Sequence, residues 1–236
     1  MDFTNKVVIV TGATGGLGTQ VVRTFLDRNA TLAAIARSQD KLDALQQEMG
    51  NPERLTVYAA DLTQESEVQD TFHRIESELG AAYALIHAAG GFQGGKTVAE
   101  LSLEDWNHIL DLNLKAAFLS CKHALKQMTP QGRGKIISIS ALAALDVSSK
   151  KGGYIVSKAG LNALIRAIAE EGKASNIQAN AIAPSIILTA DNKKYMPDMD
   201  WSKWVTPQQI AETAAYLCSS AADSVSGSII RMPGGM

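Results

Sequence analysis

The stretch Lys6-Val7-Val8-Ile9-Val10-Thr11-Gly12-Ala13-Thr14-Gly15-Gly16-Leu17-Gly18 decides the fold of this chain. It begins with a continuous β-branched run, which is typical of a strand buried on both faces of a parallel sheet. A cluster of glycines follows, and then an amphipathic segment runs from Thr19 to Asn29. The order of strand, glycine turn and helix predicts the first βα unit of an α/β protein.

The same alternation continues to the end of the chain. Further strands are predicted at 31–36, 55–60, 83–88, 135–140, 177–183 and 228–232, and further helices at 40–49, 65–79, 103–127, 153–172 and 207–219. Alternating strands and helices imply parallel strands joined by right-handed crossovers. We therefore predict a single domain over residues 1–236, built as a Rossmann-type doubly wound parallel sheet of about seven strands with helices on both faces.

Composition excludes several classes of protein. The 236 residues are 46% hydrophobic and 19% charged, with a net charge of -2, which suits one sizeable core and gives no basic surplus for nucleic acid. The apolar runs fall short of the roughly 18 residues that cross a bilayer. Met1 to Lys6 lacks the start of a signal peptide, so we expect no membrane association and a cytoplasmic location.

The two cysteines, Cys121 and Cys218, lie far apart in the sequence and lack the spacing of metal ligands. We expect both to be reduced and buried as small apolar residues, with a disulfide as the alternative. No metal site is expected.

The segment from Thr189 to Val205 is the least regular part of the pattern. It carries several charged residues together with Trp201 and Trp204. A polar loop of this length inside a compact domain is often a functional lid, so we predict a substrate lid at 189–205. A plain surface excursion is the alternative.

The glycine turn after the first strand has the chemistry of a phosphate site. Glycines allow the backbone to approach a pyrophosphate closely, and the helix N-terminus that follows supplies N–H donors and a favourable dipole. The candidate residues are Gly12, Thr14, Gly15, Gly16, Leu17 and Gly18.

Thr11, Gly12, Gly16 and Gly18 resemble the nucleotide-binding motif of the short-chain dehydrogenases/reductases, and the resemblance extends over essentially the whole chain. It implies a nicotinamide cofactor and a small-molecule substrate. It also implies a homodimer or homotetramer that pairs the helices at 103–127 and 153–172, and the second of these has a wide apolar surface.

Tyr154 and Lys158 are the strongest chemical signal. Positions i and i+4 share one face of a helix, so both side chains can point at one site. Because the ordinary pKa of tyrosine is about 10, a nearby ammonium is expected to lower the pKa of Tyr154. The pair resembles the Tyr-x-x-x-Lys motif of the family, which implies that Tyr154 protonates the substrate oxygen and that Lys158 also binds the nicotinamide ribose. Asn113, by the same resemblance, supports a water chain to the lysine.

Three departures from the family pattern affect this site. Ala141 stands where the family has a serine, so either Ser140 replaces it through local geometry or the oxygen-orienting hydroxyl is missing. His87-Ala88-Ala89-Gly90 stands for Asn-Asn-Ala-Gly, with His87 expected to replace the hydrogen bonds of the first asparagine and a proton-relay role as the alternative. Pro184-Ser185 stands for Pro-Gly, and Ile187 and Thr189 still suit the carboxamide of the cofactor.

The end of the second strand bears on the choice of cofactor. An acidic residue there would bind the ribose 2′-hydroxyl, but Ala36 is followed by Arg37 and Ser38. A guanidinium pairs well with a 2′-phosphate, so NADP(H) is preferred and NAD(H) stays open. Asp61 and Leu62 resemble the adenine-contacting pair of the family, and Asp61 could also be the N-cap of the next helix.

These features together predict an NADP(H)-dependent oxidoreductase that reduces a carbonyl or quinonoid substrate. Residues 89–95, Ala141 and the segment 196–204 resemble dihydropteridine reductases, which suggests a pterin-like substrate by analogy alone. The alternatives are a dinucleotide-binding sensor or scaffold with weak catalysis, and a 3-oxoacyl-type ketoreductase or alcohol dehydrogenase. Phe92, Trp201 and Trp204 are either walls of the substrate site or packing residues.

Overall fold

The computed structural model describes residues 1–235 and contains one parallel sheet in the order β3-β2-β1-β4-β5-β6-β7. The strands are β1 (Val7–Thr11), β2 (Thr31–Ala36), β3 (Leu55–Ala59), β4 (Ala82–His87), β5 (Gly134–Ile139), β6 (Ile177–Pro184) and β7 (Ile229–Met232). The chain winds outward from β1 to β3 and then crosses to β4 on the other side of β1. This reversal opens a crevice at the carboxyl ends of β1 and β4, where ligands bind in doubly wound sheets.

The helices are α1 (Gly16–Leu26), α2 (Gln39–Glu48), α3 (Glu65–Leu79), α4 (Leu103–Leu110), α5 (Ala116–Gln131), α6 (Gly152–Glu171), α7 (Ala190–Tyr195) and α8 (Pro207–Cys218). Apolar residues of α1, α2 and α8 pack on one face of the sheet, and those of α3, α5 and α6 on the other. The predicted α/β sheet with helices on both faces is confirmed.

Strand β1 shows why the opening run of the sequence forms a central strand. Val8 and Val10 belong to the core under α1 and α8, whereas Val7 and Ile9 belong to the core under α3, α5 and α6. All five residues of the strand are buried, so both faces need apolar side chains.

Helix α1 begins and ends three residues earlier than the pattern predicted. Its first turn contains Gly16 and Gly18, whose poor helix propensity favours a later start in the sequence pattern. A Cβ atom on Gly18 would lie 2.0 Å from the carbonyl oxygen of Gly12. The helix therefore starts inside the glycine motif because only glycine allows this contact.

The predicted helix at 103–127 is interrupted. Residues Asp111–Lys115 form a π-helical turn between α4 and α5, and α5 continues to Gln131. Such turns widen a helix locally and are common at functional sites. Here the turn contains Asn113, whose side chain is completely buried.

The segment 189–205 is more regular than predicted. It contains α7 and a short 3-10 turn at Trp201–Lys203. Its two ends are joined by a bridge between Ile187 and Val205 and by a hydrogen bond of 2.8 Å from the Leu188 N–H to the Val205 carbonyl. The segment is thus an excursion fixed at its base beside the end of β6.

Cys121 and Cys218 are both buried and free, as predicted. Burial raises the pKa of each thiol to about 12. Within residues 1–235, none of the helices has the length and apolar character needed to cross a membrane.

A row of polar side chains crosses the centre of the sheet just below its carboxyl edge. Thr11, His87 and Ser138 are register partners on β1, β4 and β5, and His87 Nδ1 lies 3.0 Å from Thr11 Oγ1. His87 thus makes the kind of side-chain bond expected of the asparagine that it replaces. Its Nε2 and the Ser138 Oγ are buried and make no hydrogen bond to residues 1–235. Burial, with a smaller contribution from the Lys158 charge, lowers the pKa of His87 to about 3.

Because His87 is buried in this row, the free energy of unfolding should decrease as the pH falls below 6.5. Because the pKa of His87 is about 3 in the folded protein and about 6.5 when unfolded, only the unfolded chain binds a proton between these values. The His87→Asn variant lacks this penalty, so its stability relative to wild type should improve by roughly 1.4 kcal/mol per pH unit below 6.5. Urea unfolding at pH 7 and pH 5 measures the difference. The exposed His73→Asn is the control, and a constant gap between wild type and His87→Asn would contradict the prediction.

Candidate active site

The glycine turn packs against the end of β4. Gly12 has a φ of +66°, and a Cβ atom there would lie 2.7 Å from the Ala89 nitrogen. Helix α1 has Gly15 as its N-cap, without a side-chain hydrogen bond. The N–H groups of its first turn therefore remain free to bind an anionic group, because they have no acceptor within the helix.

Two other segments of the chain contact this turn. The Ala88 and Ala89 N–H groups donate to the Thr11 carbonyl and Thr11 Oγ1, both at 3.3 Å. On the other side, a Cβ atom on Gly16 would lie 3.0 Å from Thr189 Cγ2. The structure thus brings the predicted cofactor residues of the glycine turn, of 88–90 and of 187–189 together at one edge of the sheet. Pro184 ends β6 at the same edge.

The far end of the crevice carries Arg37 and Asp61. Ala36 ends β2, Arg37 is exposed, and Ser38 caps α2 by accepting a hydrogen bond from the Lys41 N–H at 3.4 Å. Asp61 accepts hydrogen bonds from the backbone and hydroxyl of Thr63, and these bonds, with a smaller contribution from Arg37, lower its pKa. Leu62, beside it, is buried.

Asp61 is not a helix cap. The N-cap of α3 is Gln64, and Asp61 instead closes a local turn with Thr63. The alternative interpretation of Asp61 as an N-cap was therefore wrong. Its side chain lies at the end of β3, on the same edge of the sheet as Arg37.

Tyr154 and Lys158 lie one turn apart on α6. Lys158 is buried, and its Nζ donates a hydrogen bond of 2.8 Å to the carbonyl of Ile139, the last residue of β5. Tyr154 is half-buried, and its ring contacts the exposed ring of Phe92 edge-to-face at 5.0 Å between centroids. Phe92 thus forms a wall beside Tyr154.

Burial dominates the ionisation of both groups. It raises the pKa of Tyr154 to about 12 and lowers that of Lys158 to about 8. The expected lowering of the tyrosine pKa by Lys158 is therefore not found in the protein alone. The Lys158 ammonium donates to Ile139 instead, and the phenol stays protonated at neutral pH.

Asn113 holds the loop after β4 against α6. Its Oδ1 accepts a hydrogen bond from the Gly91 N–H at 2.9 Å, and its Nδ2 donates to the Gly91 carbonyl and to Ser157 Oγ, both at 3.0 Å. A Cβ atom on Gly90 would lie 2.6 Å from Asn113 Oδ1 and 3.2 Å from Lys158 Nζ. The predicted residues Asn113, Gly90 and Lys158 are therefore neighbours.

Ser140 does not take the position of the missing serine. Its buried hydroxyl lies 3.5 Å from the Lys158 carbonyl and faces the backbone of α6. Ala141 follows in extended conformation, and adjacent residues of an extended chain face opposite sides. The prediction of Ser140 as a substrate-orienting group is corrected to a contact between β5 and α6.

The two tryptophans of the 189–205 segment differ. Trp204 is 4% exposed and is a packing residue. Trp201 is 36% exposed, and its indole N–H donates to the Met196 carbonyl at 3.0 Å. Only Trp201 is accessible enough to contact a ligand.

Sequence reasoning missed the partners that fix the site. Ile139 acts through its carbonyl, Ser157 receives a hydrogen bond from Asn113, and Thr11 bonds both His87 and Ala89. Backbone groups leave no trace in a sequence. Thr11 was recognised only as part of the glycine motif, although a hydroxyl at the end of an otherwise apolar strand also needs a hydrogen-bond partner.

Comparisons with known proteins agree with this geometry. The sequence model of the family described as short chain dehydrogenase matches residues 6–200. A 2-dehydro-3-deoxy-D-gluconate 5-dehydrogenase of Formosa agariphila is 29% identical, covering 100% of this chain and 94% of that protein. A 3-oxoacyl-acyl-carrier-protein reductase of Aquifex aeolicus is 27% identical, covering 98% of this chain and 97% of that one.

A solved structure gives the same result. A short-chain type dehydrogenase/reductase from Mycobacterium ulcerans superposes with a TM-score of 0.94 at 26% identity, over 100% of this chain and 90% of that chain. The glycine turn, Asn113, Tyr154 and Lys158 all lie within the residues that match the family. The chain therefore belongs to the short-chain dehydrogenase/reductase family and is an NAD(P)-dependent oxidoreductase.

Proposed function

We propose that this protein is an NADP(H)-dependent reductase of a small carbonyl compound, with Tyr154 as the proton donor. The observation that carries the proposal is the position of Tyr154 beside Lys158 at the glycine-lined crevice. The tyrosine hydroxyl makes no hydrogen bond to residues 1–235, which leaves it available to a substrate. Lys158 Nζ faces Gly90 in the adjoining loop.

Two features of the crevice support a dinucleotide site: its glycines let the turn pack closely against neighbouring backbone, and the N–H groups in the first turn of α1 have no acceptor within the helix. Gly12 and Gly18 have no space for a Cβ atom, and the first turn of α1 has free N–H donors. The residues that would hold the cofactor are Gly12, Thr14, Gly15, Gly16, Leu17 and Gly18 at the pyrophosphate, Arg37, Ser38, Asp61 and Leu62 at the adenosine, and Ala88, Ala89, Gly90, Tyr154, Lys158, Pro184, Ile187 and Thr189 at the nicotinamide side.

The bound cofactor supplies the hydride. Tyr154 supplies the proton, because its raised pKa keeps the phenol protonated until negative charge develops on the substrate oxygen. An ammonium has three N–H donors, so Lys158 can keep its bond to Ile139 and also stabilise the phenolate that results when the substrate is bound. Asn113 positions Lys158 by clamping the loop at Gly91 to α6, and protons from water restore Tyr154.

We expect the substrate to accept hydride without a second hydrogen-bond donor to polarise its carbonyl group. With Ala141 in place of a serine and Ser140 facing α6, Tyr154 is the donor left to orient the oxygen. This favours a carbonyl activated by a neighbouring electron-withdrawing group, or a quinonoid acceptor. By their names, the two relatives act on 2-dehydro-3-deoxy-D-gluconate and on a 3-oxoacyl-acyl-carrier protein, which supports a carbonyl substrate.

A 3-oxoacyl-type ketoreductase or alcohol dehydrogenase is the second candidate, favoured by the Aquifex aeolicus relative. No contact in the site favours a pterin. A non-catalytic sensor would have no use for Tyr154, Lys158 and Asn113 together, so it is the weakest of the hypotheses.

We also propose that the segment 189–205 covers the substrate and that the protein forms a homodimer or homotetramer. Thr189 meets the glycine turn, which places the start of this segment at the cofactor crevice. Phe118 on α5 is 47% exposed and Val156 on α6 is 44% exposed, and Ala163 lies on the exposed side of α6. These two helices offer the apolar surface that association requires. A cytoplasmic location stays a prediction from the sequence.

Tyr154→Phe removes the proposed proton donor. We expect kcat to fall by about 100-fold or more, with little change in NADPH affinity, because one general acid contributes that much. NADPH oxidation against ketones, aldehydes, quinones and quinonoid dihydropterins measures the loss. Tyr216→Phe, on the exposed side of α8, is the control. Full activity of Tyr154→Phe would show that Tyr154 is not the proton donor. If the wild-type protein bound NADPH tightly without turnover, the hypothesis of a non-catalytic sensor would be favoured.

Arg37→Ala tests the cofactor proposal. Loss of a charge-assisted contact with the 2′-phosphate should raise KM for NADPH by about tenfold or more and leave KM for NADH nearly unchanged. Ala36→Asp should shift the preference further toward NADH, since a carboxylate repels the phosphate. Arg133→Ala, in an exposed loop, is the control. Equal changes in the KM values for NADPH and NADH would show that Arg37 does not bind the 2′-phosphate.

Ala163→Glu tests the association through α6. We expect wild type to sediment as a dimer or tetramer at micromolar concentration and the variant to dissociate toward monomer, because a buried unpaired carboxylate is costly. Ala44→Glu on the exposed side of α2 should leave the oligomer intact. A monomeric wild-type protein would contradict the proposal.

A further inference from the structure

A small cleft of about 40 Å³ adjoins Tyr154 and has two lysines in its wall. It lies between the loop that follows β4 and the beginning of α6. Lys150 and Lys151 come directly before α6, and Gln93 and Lys96 belong to the loop. Tyr154 itself lines the cleft, so a substrate held here has its reacting group near the proposed proton donor.

The wall with the lysines is held in place by backbone contacts. The Gly95 N–H donates to the Lys150 carbonyl at 2.8 Å, and Lys96 forms a bridge with Lys151. The Lys151 ammonium lies 6.0 Å from the centroid of the Phe92 ring. Since the same ring contacts Tyr154, Lys151 is close to the catalytic side chain and shares a wall with it.

Positive charge in the cleft is not balanced by the protein. Lys96 is paired with Asp105 at 2.6 Å, whereas Lys150 and Lys151 form no salt bridge with any residue in 1–235. Asp146, the nearest acidic residue along the chain, is paired with Arg231. Two ammonium groups therefore remain available to a ligand.

Gln93 gives a second, independent sign of a ligand. Its Nε2 donates to Asp105 Oδ1 at 2.8 Å, which fixes the orientation of the amide. Its Oε1 is buried and makes no hydrogen bond within the described chain. A buried acceptor without a donor is unfavourable, so a hydroxyl on the ligand would satisfy it.

We propose that the substrate is a carboxylate-bearing carbonyl compound whose carboxylate binds Lys151, with Lys150 at the rim, while its carbonyl faces Tyr154. This names the substrate class of the reductase proposed above and rests on that function. The carboxylate is a spectator in the reaction, since hydride and proton go to the carbonyl alone.

The test compares charged and neutral substrates of the same shape. NADPH-dependent reduction of 3- and 4-formylbenzoate is measured beside that of their methyl esters. Wild type should prefer at least one acid over its ester by about fivefold or more in kcat/KM, because a nearby ammonium attracts only the acid. The preference should shrink when sodium chloride is raised, since salt screens partly exposed charges.

Lys151 variants assign the preference to one side chain. Lys151→Gln should bring the ratio of acid to ester close to one, Lys151→Arg should keep the preference, and Lys151→Glu should reverse it. Lys126→Gln, on the exposed side of α5, removes the same charge elsewhere and should leave the ratio unchanged. Thermal unfolding of each variant checks that it is folded.

The outcomes separate this inference from the proposed function. If acids and esters are reduced equally and Lys151→Gln changes nothing, the carboxylate site is wrong and the reductase stands. If none of these aldehydes is reduced, calorimetric titration of the NADPH-loaded protein with benzoate decides the matter. Benzoate binding that Lys151→Gln abolishes supports the site, and no binding to wild type overturns it. Absence of turnover on every acceptor would instead overturn the reductase.

Discussion

The hydrogen bond from Lys158 Nζ to the Ile139 carbonyl is the contact on which the site depends. A buried ammonium is unfavourable unless its N–H groups find acceptors, and the end of β5 provides one. The bond joins α6 to the end of β5 one turn after Tyr154, while Leu161 and Ile165 pack the same helix against the sheet. The same ammonium lies close to Gly90, so the loop after β4 must come within contact of α6.

The loop after β4 contacts both α6 and the glycine turn, and so links the position of Lys158 to the rest of the crevice. Asn113 bonds both backbone polar groups of Gly91, and the backbone of Ala89 lies so close to Gly12 that a side chain on Gly12 would collide with it. The glycine turn is therefore positioned by the same loop that positions Lys158. The predicted phosphate-binding turn and the predicted proton-transferring residues both contact the loop after β4. This loop explains why residues far apart in sequence form a single site.

Much of this could be read from the sequence because it rests on local patterns. The β-branched run at 6–10 and the helical spacing at 153–172 reflect burial and periodicity, and both elements appear where expected. The π-helical turn at 111–115 could not be foreseen, since an extra residue in a helical turn depends on what packs around it. The direction of the Ser140 hydroxyl and the acceptor of Lys158 depend likewise on how α6 lies on the sheet.

The pKa values also depend on tertiary packing, which the sequence does not reveal. Proximity of Lys158 to Tyr154 predicted a lowered pKa for the phenol, but burial raises it to about 12. How deeply a group is buried is a property of the packed molecule. Spacing along a helix, by contrast, is enough to infer that a charged residue lies nearby.

The two buried thiols have a consequence for how this oxidoreductase responds to oxidants. Sulfur reacts as the thiolate, and with pKa values near 12 Cys121 and Cys218 hold almost no thiolate at neutral pH. Peroxides and alkylating reagents therefore reach neither residue unless the surrounding helices open. Redox reagents that inactivate many thiol enzymes should leave hydride transfer here untouched, and the modification of either cysteine becomes a measure of how often the core opens.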